Sequence, residues 1–175
     1  CVPYDTVNRS EARRLTAGNP LSFLHVTRAE IDLPDEVSPY DDSVYEKARE
    51  NFLRLRDRNI LISEDEPCLY LYRMAAGSHV QTGLMACCHV DDYKRNIIRK
   101  HENTRNEKVA DRTRMTATLG AHTGPVLLTY RDQPEIERAT CGAEKEPPLY
   151  ELAGPGGTKH TIWRIRDSAS ISAAF

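Results

Sequence analysis

The sequence predicts an α+β fold: a mixed, largely antiparallel sheet with flanking helices, in a single domain spanning residues 1–175. Two hairpin signals and three helical patterns support this. They are interleaved without the regular strand-helix-strand period of a doubly wound sheet. The length suits one domain with a real core, and 39% hydrophobic with 29% charged residues is the composition of a soluble globular protein.

Asn8 with Glu11 three residues later opens a short helix, Arg9 to Ala17, as a variant of the capping box, and Gly18-Asn19-Pro20 stops it. Leu21 to Thr27, with Phe23, Leu24 and Val26, is expected to be a strand; Arg28 to Pro34 then forms a loop. Beyond Ser38-Pro39, Val44, Ala48, Phe52 and Leu55 recur at helical spacing while Glu46, Lys47, Arg49 and Glu50 remain wet, so a long amphipathic helix docks on a core.

Cys68 to Met74 and Val80 to Val90, joined by Ala75-Ala76-Gly77-Ser78, form a hairpin whose second member is apolar on both faces and is expected to be central in its sheet. Thr104 with Glu107 is a second capping box, heading a helix to about Leu119, and Pro125 to Tyr130 is a further strand. Arg131 to Glu146 is a loop or a weak helix. Leu149 to Ala153 and His160 to Arg166 make a second hairpin across Gly154-Pro155-Gly156-Gly157, and a helix begins after Asp167.

Several functions are disfavoured by what the chain lacks. A formal charge of −2 gives no global attraction to nucleic acid or to an anionic membrane, and no apolar run reaches the roughly 18 residues a span requires. With neither a charged n-region nor an apolar h-region at its start, the chain is expected in the cytoplasm. There is no initiator Met, and both ends look cut. Five cysteines, at positions 1, 68, 87, 88 and 141, make no disulfide framework and no zinc knuckle; small buried hydrophobes in a reducing compartment is the expectation. Cys87 and Cys88, adjacent in an expected strand, would point to opposite faces.

The chemistry concentrates between Lys100 and Arg112. Four residues after His101 stands Arg105, not a second His, so the helical zinc motif is absent and no zinc is expected. No Gly-rich segment ends in Gly-Lys-Ser/Thr, so there is no P-loop. The cluster does offer a helix start near Thr104, whose free N–H groups attract anions, with Arg105, Lys108 and Arg112 on one face. Glu102 then stands where a carboxylate can take a proton from a substrate hydroxyl, if within about 3 Å of it. Ordinary capping with surface pairing, of the Lys108–Asp111 kind, fits the same spacing. Asp5, before a helix, either caps it or orients a ligand amine; His25, in an apolar run, is expected to be a satisfied core or interface residue. The stretch from Asn19-Pro20 to Arg28 is either a substrate loop or a turn.

Pro3-Tyr4-Asp5-Thr6-Val7, the run Asn19 to Pro34, Leu69-Tyr70-Leu71-Tyr72-Arg73, Thr82-Gly83, and Asp92-Tyr93 through Ile97 to Arg105 with Lys108 and Asp111-Arg112 together resemble the prokaryotic family known as domain of unknown function 1015. The resemblance runs in order from Pro3 to about Tyr130, with a looser tail to Arg166. Members are distantly similar to free-serine kinases on a ParB/sulfiredoxin-like fold, which phosphorylate a serine hydroxyl from a nucleotide or inorganic donor. That resemblance implies His101-Glu102 as the pair supplying the base, with Arg105, Lys108 and Arg112 on phosphoryl oxygens, Mg²⁺ bridging the donor, and a small-molecule substrate as partner. The other kinase motif, Asp-Gly-His-His-Arg, does not occur in these 175 residues, so the chain is expected to be an N-terminal part of a longer protein. Two further readings stand beside the kinase: a non-catalytic nucleotide- or metabolite-binding module, and an inactive fragment.

Overall fold

The structure is a computed structural model that describes residues 2–101, 103–166 and 168–172. In chain order its helices are α1 (Arg9–Thr16), α2 (Leu24–Thr27), α3 (Asp42–Asp57), α4 (Val90–Lys94), α5 (Asn106–Leu119), α6 (Pro134–Cys141) and α7 (Ala169–Ser172), with short 3₁₀ turns between some of them. The strands are β1 (Leu69–Ala76), β2 (His79–Met85), β3 (Tyr150–Ala153) and β4 (Lys159–Ile165). The fold is α+β, as expected, with a four-stranded sheet in which every pairing is antiparallel. The chain forms two compact units, Cys1–Ser63 with Lys100–Pro125 and Glu64–Arg99 with Val126–Phe175.

The first unit is helical. The Asn8 capping box is present in full: the Asn8 side chain accepts from the Glu11 N–H, and the Glu11 carboxylate accepts from the Asn8 N–H at 2.8 Å. On α3, Val44, Tyr45, Ala48 and Leu55 are buried, and they pack with Met115 and Leu119 of α5 and with Val26 and Ala29. Gly120, in the left-handed conformation at φ 64°, ends α5 where a side chain would be strained. Between α2 and α3 the chain has almost no regular structure, so its carbonyls need donors from elsewhere. Arg9 and Arg13, one turn apart on α1, supply them. Arg9 donates to the carbonyls of Glu30, Leu33, Pro34, Asp35 and Val37, and Arg13 to those of Ile31 and Leu33.

The second unit is built on the sheet, whose strand order is β2-β1-β4-β3. One face buries Leu71, Trp163 and Ile165 against Ile171 of α7, with Leu69, Leu84 and Ala143 around them. Both expected hairpins exist, with β1 and β4 central.

Several local expectations are overturned. Leu21 to Thr27 is not a strand; Thr27 N–H bonds to Phe23 C=O and Arg28 N–H to Leu24 C=O, which closes a single helical turn, and so short an apolar run carries no decisive period. The strand from Val80 lies at the sheet edge and ends at Met85, with nearly all its side chains exposed, because β4 takes the other side of β1. Pro125 to Tyr130 forms no strand: its β-prone residues find no ladder among the described residues, and Val126 and Leu127 are exposed. Thr104 does not cap α5. Arg105 occupies the cap position, with extended backbone and no side-chain cap bond. The cysteines are not core hydrophobes either, since Cys68 is half-buried and Cys87, Cys88 and Cys141 are exposed.

Candidate functional site

Asp111, Met115 and Leu119 form the buried stripe of α5 at one-turn intervals, so a carboxylate stands where an apolar residue belongs. The Asp111 side chain is 7% exposed and is held from two sides. The Tyr45 hydroxyl donates to one carboxylate oxygen at 2.8 Å, and Arg112 donates to the other through Nε at 2.9 Å and Nη2 at 2.7 Å. Burial, then the bond to Asp111, pushes the Tyr45 phenol up to about 12. This keeps the phenol a donor throughout the neutral range.

Asp111 and Arg112 open onto a small cleft of roughly 360 Å³, counting the part open to solvent, entirely within the helical unit. Lys108 and Arg112 come from α5, Arg28 and Glu30 from the irregular segment that Arg9 and Arg13 pin, and Tyr4 and Tyr40 close the sides. The Arg112 guanidinium lies 4.3 Å from the centre of the Tyr4 ring, and the Lys108 ammonium 6.0 Å from that of Tyr40. The Glu30 side chain is 5% exposed and pairs with Arg28 at 3.0 Å.

Three cations and two carboxylates therefore face one concavity, and both carboxylates are already engaged by guanidinium groups. Among the described residues the buried Arg112 Nη1 has no hydrogen-bond acceptor, and the Arg28 Nε and Glu30 Oε1, although 3.0 Å apart, are not aligned to bond each other and have no other partner. Desolvated guanidinium N–H groups without acceptors favour an anion with several oxygens, the geometry phosphate and carboxylate provide.

The residues predicted from sequence divide sharply. Lys108 and Arg112 line the cleft; Arg105, Thr104, His101 and Asp5 are exposed and do not line it, although Asp5 adjoins Tyr4, which does. Glu102 lies outside the described residues. Sequence reasoning reached Arg28 only as the end of a stretch that could be a substrate loop or a turn, missed Glu30 and Tyr40 as site residues and took Asp111 for a surface partner. The signal was present in α5, where an acid occupies the apolar stripe one turn before Met115.

A second polar cluster, built on the buried Asn51, lies in the same unit. Asp32 receives the His25 Nδ1 at 2.9 Å and the Asn51 Nδ2 at 2.8 Å, and Asn51 also donates to the His25 carbonyl at 2.7 Å. These bonds join α2 to α3 and engage the His25 Nδ1, while the buried His25 Nε2 has no hydrogen-bond partner among the described residues.

The fold and this cleft define an α+β protein with a cation-rich, carboxylate-buttressed concavity on its helical unit. The chain belongs to the family described as Protein of unknown function (DUF1015), whose family model matches residues 1–175. No curated protein and no solved structure matches it.

Among the described residues no helix is long and apolar enough to cross a membrane.

Proposed function

We propose that the cleft binds a phosphate-bearing small molecule and that the protein is a small-molecule phosphotransferase of the free-serine kinase kind. The observation that carries this reading is the Arg112 guanidinium, fixed by Asp111 through two of its nitrogens while the third, Nη1, is buried with no acceptor among the described residues. A phosphoryl oxygen reaching Nη1 past Tyr4 offsets that desolvation, and Lys108 supplies a mobile second charge. Phosphoryl transfer asks a protein mainly for positioning and charge stabilisation, and a pre-oriented guanidinium provides both without reorganising at the moment of reaction.

Both cleft carboxylates already face guanidinium groups, Glu30 beside Arg28 at 3.0 Å and Asp111 bonded by Arg112 and Tyr45. Glu102 is accordingly the residue proposed to take the proton of the acceptor hydroxyl, with His101 beside it in sequence. Magnesium binds through one or two carboxylates together with substrate phosphates. Since both carboxylates here are occupied by cations, the cleft does not fit a protein-held ion, and no step of this reading runs through one.

The test has two arms on the full chain. Calorimetric titration with ATP, ADP and pyrophosphate should show binding that weakens at least tenfold in Lys108→Gln, by the loss of one charge-assisted bond. Incubation with serine, Mg²⁺ and each donor should then yield phosphoserine, and Glu102→Gln should abolish turnover while binding persists. Binding without phosphoserine from any donor leaves the non-catalytic binding module as the function, and unchanged turnover in Glu102→Gln removes Glu102 from the role of base.

A further inference from the structure

Cys87 and Cys88 are free, exposed and adjacent, in the segment between β2 and α4. In a strand their side chains would diverge to opposite faces, and the ladder would hold the intervening peptide extended. The structure removes that restraint. The last ladder pair of β2 is Tyr70↔Met85, so no sheet fixes the plane of the Cys87–Cys88 peptide. Downstream, the next hydrogen bonds among the described residues are at His89, whose carbonyl accepts from the Asp92 N–H at 3.1 Å and whose Nδ1 accepts from the Asp91 N–H at 3.2 Å.

We infer that Cys87 and Cys88 are a redox modification site: a vicinal dithiol that a hydroperoxide oxidises to a disulfide between neighbouring residues. One thiolate attacks the peroxide O–O bond, forming an S–O bond; the peroxide's other oxygen leaves as water or an alcohol after taking up the proton the thiol gave up. The adjacent thiol then attacks the sulfenic sulfur, the S–S bond forms, the S–O bond breaks, and the hydroxyl leaves as water with the second thiol's proton. Two electrons pass from the two sulfurs to the peroxide. Adjacency favours this second step over further oxidation, because the resolving thiol is on the neighbouring residue and no ladder holds the two side chains apart.

A ring closed across a single peptide bond departs from relaxed disulfide geometry, and strained, exposed disulfides are the readily reduced ones. The modification is therefore reversible by ordinary dithiols. Closing it stiffens the link from β2 to α4, the short helix that carries the exposed Val90 and Tyr93. The inference is independent of the phosphotransferase reading, since both cysteines belong to the sheet unit and the cleft to the helical one.

Treating the reduced full chain with one equivalent of hydrogen peroxide, blocking with N-ethylmaleimide and mapping the peptides without reductant tests this directly. The peptide containing both cysteines should lose two hydrogens and take no maleimide, Cys68 and Cys141 should remain alkylated, and dithiothreitol should restore both thiols. Cys88→Ser should stop at a sulfenic acid on Cys87 that dimedone traps. In the reduced protein, phenylarsine oxide should bridge the two thiols with a stoichiometry of one, lost in either single Ser variant. Full alkylation of Cys87 and Cys88 after peroxide, or a disulfide from either of them to Cys141 or to a second chain, overturns the inference.

Discussion

The helical unit and the sheet unit satisfy their polar groups in opposite ways. Among the described residues, the buried polar side chains are Thr16, Ser22, Thr27, Glu30, Asn51 and Asp111 in the helical unit, against Thr161 alone in the sheet unit. A sheet pairs its own backbone groups strand to strand, so its side chains are left to pack, as Leu71, Trp163 and Ile165 do. The segment between α2 and α3 has no ladder, and its carbonyls are met by the guanidinium groups of Arg9 and Arg13. Charged side chains thus enter the interior of the helical unit for a structural reason. Once there, Glu30 and Asp111 are desolvated, and Asp111 orients the partly exposed Arg112, which is the condition for selective binding.

The largest effect expected from this contrast is at Asp111. Asp111→Ala leaves the Arg112 guanidinium and the Tyr45 hydroxyl without their acceptor in a buried setting, and breaking such a pair from one side costs about 3 kcal/mol. In the sheet unit, Lys159 and Glu151 pair at 2.8 Å with both side chains more than half exposed. Glu151→Ala is expected to change stability by less than about 0.5 kcal/mol. Urea unfolding of the two variants measures the difference. Equal losses would show that the interior charges of the helical unit are no more deeply committed than surface ones.

The sheet unit has its own point of tight fit, steric where the other is electrostatic. A Cβ added at Gly154 would collide with the His160 Nε2 and lie 3.3 Å from the Thr158 carbonyl oxygen. The His160 ring cannot yield freely, because its Nδ1 is bonded to the Tyr72 hydroxyl at 2.7 Å and its plane stacks on the Tyr72 ring. Gly154→Ala should therefore cost about 2 kcal/mol, the scale of overpacking. The same change in a His160→Ala background should cost much less, and a double-mutant cycle by urea unfolding checks the coupling. Additive losses would place the clash on the Thr158 backbone instead.

The two units also differed in how much of each the sequence revealed. Both hairpins, the Asn8 cap and α3 were legible because each carries a signal complete within a few residues: a turn glycine, a reciprocal cap, a 3.6-residue stripe. The strand expected at Pro125 to Tyr130 was not, because β-propensity describes fit to a neighbour that the local sequence does not contain. Thr104 shows the same limit for caps, since its spacing to Glu107 is right and yet Arg105 starts the helix. In the cleft, Lys108 and Arg112 were found from helical spacing. Arg28 was reached only as the end of a possible substrate loop and Glu30 not at all, since they reach the site through an irregular segment placed by Arg9, a dependence between residues about 20 apart that no periodicity expresses.

A finer comparison sets two phenol–carboxylate bonds side by side. Tyr45 donates to buried Asp111 in the helical unit, and Tyr70 donates to Glu64 at 2.7 Å in the sheet unit, where Glu64 also pairs with Arg164. Burial chiefly raises both phenols, Tyr45 to about 12, and Tyr70 is raised as well, helped by Cys68 and Glu64. A raised phenol favours the neutral form in the fold, so its contribution is whole below the ordinary value of 10 and is lost as pH rises through the folded value. The unfolded chain releases its proton first, and stability falls along the alkaline limb. At neutral pH, Tyr45→Phe should cost about 1 kcal/mol, since Arg112 still serves Asp111 but one buried bond is gone. Tyr70→Phe should cost less, because Glu64 is 25% exposed and retains Arg164 and water. Above the ordinary tyrosine range both variants should lose stability less steeply than the parent chain, as urea midpoints measured against pH will show. A Tyr70→Phe loss equal to that of Tyr45→Phe at neutral pH would mean that burial of the acceptor, the feature separating the two units, does not set the strength of these bonds.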